Sequence, residues 1–336
     1  MRPLLVLLAA FALLSCGDSS VNSVDSGTRD GMDEAASRTV ERGAEVGDGS
    51  SVDGGAPIAS SDDGAPSVGE DDSSAEDLPP AHEVLVRFLI DKFEPLPERQ
   101  LAASPDSSVY ALYAQPTGRY RHGILGDTIE AGRLVVWRDG VVYTHTLDEQ
   151  YVFEDLRPRL FDVDNDGKLE ILAIRSHVAR GAGITIYKIV GEALVEWAWV
   201  EEIGTPSRWL NIAAIYDLDG DGAVELAWIQ TPHIGGILRL ARIEPGALTV
   251  LDEASQYSNH AIGERNLCLS VVTQTGNNAT LWVSTQDRER IVGFQFADQG
   301  LQQVEVLDQA VDFARPLAEQ SGFVGVVQGG DGCAWP

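Results

Sequence analysis

From residue 84 onward the chain repeats one pattern: a short apolar, β-branched or aromatic run, then a turn rich in Gly, Pro, Asn or Asp. Such runs lie at 84–90, 109–114, 134–137, 141–146, 184–189, 194–200, 237–243, 248–251, 267–273, 281–284, 291–296, 303–307 and 323–328. Runs of this length bounded by turn residues predict strands, and long 3.6-residue periodicities are hard to find. The fold class is therefore all-β. The runs also repeat in groups. From Arg159 the order is strand, acidic turn, strand, Gly-rich turn, strand, turn, strand, and from Asn211 the same order recurs. Shifting this unit along the chain finds hairpins near 106, 162, 217, 273 and 320. Repeats of this kind predict a β-propeller of about five four-stranded blades, the last completed by both termini, because closure removes exposed sheet edges. A β-sandwich is the rival architecture.

Two of the five turns carry a specific chemistry. Asp162, Asp164, Asp166, Gly167 and Glu170 spell D-x-D-x-D-G-x-x-E, and so do Asp217, Asp219, Asp221, Gly222 and Glu225. Ca²⁺ takes about 6–8 oxygen ligands in flexible geometry. Carboxylates at positions 1, 3 and 5 of a tight loop converge on such an ion, and Gly at position 6 permits the turn. The carbonyls of Lys168 and Ala223 at position 7 and the carboxylates of Glu170 and Glu225 complete the shell. Without a cation these carboxylates repel one another. An EF-hand is excluded because position 12 is Ala173 or Trp228, and because the flanks read as strands. The turns near 106 and 273 keep the hairpin and lose the ligands; only Asp106 remains.

The strand–acidic loop–strand unit resembles the FG-GAP/VCBS repeat family, whose best-known members are the integrin α-subunit propellers. The resemblance implies Ca²⁺, at about two sites, in hairpins joining two strands of a blade.

The amino terminus differs. Met1-Arg2-Pro3 precedes an apolar run from Leu4 to Leu14. A basic start and a short apolar stretch describe a secretory signal, too short to span a bilayer. Leu13-Leu14-Ser15-Cys16 looks like a bacterial lipobox, which implies cleavage before Cys16 and lipidation of its thiol. Residues 1–15 are then a lipoprotein signal peptide. Residues 17–80 hold sixteen acidic residues against three arginines and almost no aromatics. That composition cannot offset its ordering entropy and predicts a disordered acidic tether, 16–80, between lipid and propeller. Residues 81–336 form the folded part. The expected location is outer membrane or cell surface.

A net charge of −28 argues against nucleic-acid binding, which needs a basic footprint. Cys268 and Cys333 remain after Cys16 and suggest a disulfide in an exported protein. No nucleophile or zinc-hydrolase motif is present. His177 and His233 follow corresponding strands, 15 and 16 residues after Asp162 and Asp217, and mark a speculative ligand face; surface turns are the simpler reading. Arg119, Arg121 and His122 form a basic patch in a long insertion. Trp209 offers a ring that stacks on a sugar if exposed, although packing is the default for the tryptophans. Three functions stay open: a non-catalytic propeller binding a protein or glycan, a propeller lyase or hydrolase, or a structural part of the cell envelope.

Overall fold

The computed structural model describes residues 40–42, 81–297 and 300–328. The expected signal peptide, Cys16, Cys333 and all of the tether except 40–42 lie outside the described residues. In chain order the elements begin with β1 (Val40–Arg42) and helix α1 (Ala81–Phe93). The first four-stranded meander is β2 (Leu101–Ala103), β3 (Val109–Thr117), β4 (Glu130–Arg138) and β5 (Val141–Thr146). A short β6 (Tyr151–Phe153) leads to the second, β7 (Arg159–Phe161), β8 (Glu170–His177), β9 (Gly181–Val190) and β10 (Ala193–Val200). The third is β11 (Leu210–Tyr216), β12 (Glu225–Gln230), β13 (Ile237–Glu244) and β14 (Ala247–Ser255). After β15 (Tyr257–Ser258) comes the fourth, β16 (Ser270–Thr275), β17 (Asn278–Thr285), β18 (Ile291–Ala297) and β19 (Gly300–Leu307). A 3-10 turn, Leu317–Glu319, and β20 (Val326–Gln328) end the described chain. Every strand pairing is antiparallel.

The all-β, propeller-type expectation holds, and the repeat is visible in detail. The last two strands of three meanders share a bulge, between Glu196 and Ala198, between Leu240 and Ala241, and between Gly293 and Phe294. The packing explains why these sheets are blades and not halves of a sandwich. Alternate residues of one strand serve different cores. On β8, Ile171 and Ala173 face the first blade, while Leu172 and Ile174 join Leu226 and Trp228 of the third. On β12, Ala227 and Ile229 turn the other way, onto Val272, Leu281 and Val283 of the fourth. A strand with period-two side chains and both faces buried reads as a continuous apolar run. A two-layer sandwich leaves one face of each sheet to solvent.

The two end blades need covers for their outer faces, and the chain supplies them. On the first blade, Tyr110, Leu112, Ala114, Val135 and Val142 pack against Leu89 of α1. On the fourth, Leu269, Val271, Trp282 and Ile291 pack against Val311, Phe313 and Leu317.

Three expectations are corrected here. The run 84–90, expected as a strand, is part of α1. A run that is apolar except for Arg87 fits either period, and length does not separate them. The buried or partly buried positions Leu85, Leu89 and Phe93 recur every four residues, and Glu83 and Lys92 sit at the helix ends that favour their charges. The hairpin expected near 320 is not a fifth blade among the described residues. Its strand β20 pairs with β16 of the fourth, and Gln328 exchanges hydrogen bonds with the backbone of Ile215, Oε1 accepting at 2.9 Å and Nε2 donating at 3.1 Å. Among the described residues, the terminal segments thus cap end blades and do not share one. Within the stretch expected as tether, Val40–Arg42 is a strand paired with β5.

The helix assignment makes a prediction. Leu89 is 0% and Phe88 43% exposed, so Leu89→Ala should cost about 2–5 kcal/mol and Phe88→Ala much less. Urea unfolding of the two variants checks this; equal losses would contradict the packing of α1.

Candidate metal centres

In each blade the turn between the first and second strands is equivalent, and the four turns differ in chemistry. In the first blade Asp106 accepts from the Ser104 and Ser108 hydroxyls and from the Ser108 N–H. These bonds hold its carboxyl down at about 2 and use it as a turn anchor. In the fourth, Gly276 and Asn277 alone join β16 to β17. Only the second and third carry the acidic loops, as the sequence predicts.

The loops fold alike because their backbones demand the same groups. Asp162 accepts from the N–H of Asp166 at 3.1 Å and of Gly167 at 2.9 Å. Asp217 accepts from Gly220 at 2.8 Å and Gly222 at 3.0 Å. Positions 4 and 6 have positive φ in both loops: Asn165 and Gly167, then Gly220 and Gly222. Gly and Asn are the residues that tolerate this region best. Asp166 accepts from the Lys168 N–H, and Asp221 from the Ala223 N–H. Glu170, the first residue of β8, accepts from the Val163 N–H at 3.0 Å, and Glu225, the first of β12, accepts from Leu218 at 3.0 Å. The glutamates thus close their own hairpins. The contact between loops comes from Asn165, whose Nδ2 donates to the Gly222 carbonyl at 2.8 Å.

The remaining carboxylate oxygens converge. Asp162, Asp164 and Glu170 each offer an oxygen within 4.8 Å of the others, and so do Asp217, Asp219 and Glu225. Asp166 and Asp221 stand outside these tight sets. All the donors are hard oxygens, which fits Ca²⁺ and does not fit a thiolate- or imidazole-seeking metal. Burial, reinforced by Asp164 or Asp219, pushes Glu170 and Glu225 up to about 7, against the pull of the backbone N–H and a nearby base.

Those bases were missed from the sequence. Lys188 on β9 ion-pairs with Asp164, with Asp166 at 3.5 Å and with Glu170 at 3.4 Å. Arg242 on β13 reaches Asp219 at 3.6 Å and Asp221 and Glu225 at 3.3 Å. A signal existed: each base lies on the third strand of its blade, 26 residues after Asp162 and 25 after Asp217.

The speculative ligand face does not assemble as one site. His177 bonds Gln150 and Arg180 and meets Tyr151 edge-on, whereas His233 bonds His260 at 2.9 Å and stacks on Trp209. Burial lowers His233 to about 3 and His260 to about 4, so both are neutral. Trp209 is 2% exposed, with its indole N–H on the Glu154 carbonyl, and so presents no open face to a sugar. Two of the three basic-patch residues turn inward too: His122 Nδ1 is 2.5 Å from the buried Glu154, and Arg119 bonds the Tyr151 carbonyl, while Arg121 is exposed. Glu154 also takes the Ser176 hydroxyl. This buried polar cluster lies at the opposite end of β8 from the acidic loop. Cys268 is disulfide-bonded; its expected partner, Cys333, lies outside the described residues.

Residues 162–228 match the model of the FG-GAP-like repeat. The matched segment runs from the first residue of one acidic loop through the whole of the other, so the paired loops and the strands between them are similar to an FG-GAP-like repeat. No curated protein matches the chain. Among solved structures, an exotype rhamnogalacturonan lyase, YesX, is similar at 15% identity and a TM-score of 0.33, over 68% of this chain. The chain spans 37% of that lyase. A putative 6-phosphogluconolactonase from Bacteroides fragilis NCTC 9343 is similar at 11% identity and a TM-score of 0.29, over 62% of this chain and 84% of its own. Among the described residues, no helix is long and apolar enough to cross a membrane.

The buried cluster yields a pH prediction. Burial first, and Glu154 second, push Glu130 from 4.5 up to about 10. The folded chain therefore keeps a proton that the unfolded chain releases. The resulting stability is complete below pH 4.5 and is lost as pH rises toward about 10. Glu130→Gln removes the titration, so its stability should fall less than wild type between about pH 5 and 9, by up to about 1.4 kcal/mol per unit. Parallel pH profiles of thermal unfolding would contradict this.

Proposed function

We propose that this chain is an exported, Ca²⁺-stabilised β-propeller-type module that binds a protein or a glycan and does no chemistry of its own. The observation that carries the reading is the pair of equivalent hairpins, each with oxygens of two aspartates and a glutamate within 4.8 Å, inside an FG-GAP-like repeat. Asp162, Asp164 and Glu170 hold one ion, and Asp217, Asp219 and Glu225 the other. Asp166, Asp221 and the carbonyls of Lys168 and Ala223 supply further oxygens. The ion's part is electrostatic: it offsets the repulsion among these carboxylates and fixes the first hairpin of two adjacent blades.

The binding role is favoured over a catalytic one by how the polar side chains are used. His177 and His233 are engaged by separate partners. Beside the His233–His260 pair the loops expose Ile234 (62%) and Ile262 (70%), apolar side chains suited to contact with a partner. The amino-terminal pattern ending at Cys16 supports lipidation and retention at a bacterial membrane, with residues 16–80 as an acidic spacer. A bond between Cys268 and Cys333 would anchor the end of the chain to the fourth blade.

Thermal unfolding with about 1 mM Ca²⁺ against chelator tests the metal role. Binding should raise stability by RT ln(1 + [Ca²⁺]/Kd), about 1.4 kcal/mol per site at roughly tenfold saturation. Asp164→Ala and Asp219→Ala should each remove about half the gain. An unchanged wild-type Tm would refute Ca²⁺ binding by the loops.

A further inference from the structure

Each acidic loop has a basic side chain at its centre, delivered from the same place in the repeat. Lys188 projects from the third strand of the second blade and Arg242 from the third strand of the third. Each contacts the same three loop positions: Asp at 3, Asp at 5 and Glu at 9. The Glu oxygen involved is Oε1 in both cases; Oε2 is committed to the backbone. Two of these three positions, 3 and 9, belong to the tight oxygen sets. Lys188 is also held by its surroundings. The Lys188 side chain is 13% exposed, and its ammonium lies 4.7 Å from the Trp197 ring centroid. A surface pair between long mobile side chains contributes little; a base gathered by three carboxylates is a different case. It supplies positive charge at the point where the loop chemistry calls for a cation.

We propose that Lys188 and Arg242 are built-in counter-cations of the two loops, and that Ca²⁺ binds by displacing them from the shared oxygens. This rests on the Ca²⁺ reading above and adds what sets the affinity. An ion drawing on Asp164 and Glu170 takes the oxygens that the Lys188 ammonium now contacts. The base must give up those hydrogen bonds and move away from a like charge. Lys188 and Arg242 therefore weaken Ca²⁺ binding and, in return, hold the hairpins together when calcium is scarce. The loops would fill only in calcium-rich surroundings. Lys168 is the natural comparison. It belongs to the same loop and carries the same charge, but it is 63% exposed and touches Asp166 alone, at 3.9 Å.

The test is calorimetric titration of the full chain with Ca²⁺ alone. Lys188→Met is measured in an Asp219→Ala background, so that only the first loop is read, and Arg242→Met in an Asp164→Ala background for the second. Each variant should bind about tenfold tighter than its background, the equivalent of about 1.4 kcal/mol. Its Tm in chelator should fall. Lys92→Met, which removes the same charge from α1, far from the loops, should change Kd less than about threefold. Lys188→Arg and Arg242→Lys keep the charge and should retain weak binding, which separates displacement from a folding defect. Kd values for the two Met variants within about twofold of background, or weaker, would overturn the proposal while leaving Ca²⁺ binding intact. If the backgrounds bind no Ca²⁺ and the Met variants do, displacement stands and the calcium reading of the native chain falls. If none binds, both fall.

Discussion

Three carboxylates whose oxygens lie within 4.8 Å cannot all carry charge comfortably unless positive charge stands among them. The second and third blades are organised around that constraint. Their first hairpins are built so that the same carboxylates hold the backbone and face one another. Asp162 and Asp217 accept loop N–H groups on both oxygens, and Glu170 and Glu225 on one each. One oxygen of each also converges with Asp164 or Asp219. The protein answers with Lys188 and Arg242, and a divalent cation is the stronger answer that the same oxygens admit.

The loops also sit where their order matters to the fold. Each begins the second strand of its blade, and those strands, β8 and β12, are buried on both faces against neighbours. A slip of one residue in either hairpin would exchange the two core faces. Fixing the hairpin by charge therefore fixes the register of the strand that joins two cores. The hydrogen bond from Asn165 to Gly222 ties one such hairpin to the next. At the far end of β8 a different polar device, Glu154 with His122, Ser176 and Trp209, joins the first blade's insertion to the entry of the third. Its groups are neutral or paired and buried, which suits a structural joint.

Much of this was legible in the sequence, for definite reasons. The β-class and the repeat followed from short runs and turn residues, and the two acidic hairpins followed from two nine-residue stretches of the same pattern. Elements whose meaning depends on a distant partner were not legible. The run 84–90 is apolar except for Arg87, and only its position over Tyr110, Leu112 and Val135 makes it a helix. Among the described residues the expected last blade is not formed, because a strand such as β20 reads the same whether it opens a blade or caps one. Trp209 follows a turn, which left its exposure open, and it is the 118–129 insertion that contributes Ile124 and Leu125 to its core. Lys188 and Arg242 look like ordinary polar residues on a strand. Only the loops, a blade's width away in sequence, give them a task.

Calcium content tests the central claim most directly. The chain is dialysed to equilibrium against buffered Ca²⁺ and the bound metal is counted by elemental analysis. The account predicts about two Ca²⁺ per chain, about one in Asp164→Ala or Asp219→Ala, and none in the double variant. Wild-type chain that retains no calcium, or a double variant that retains as much as wild type, would contradict it.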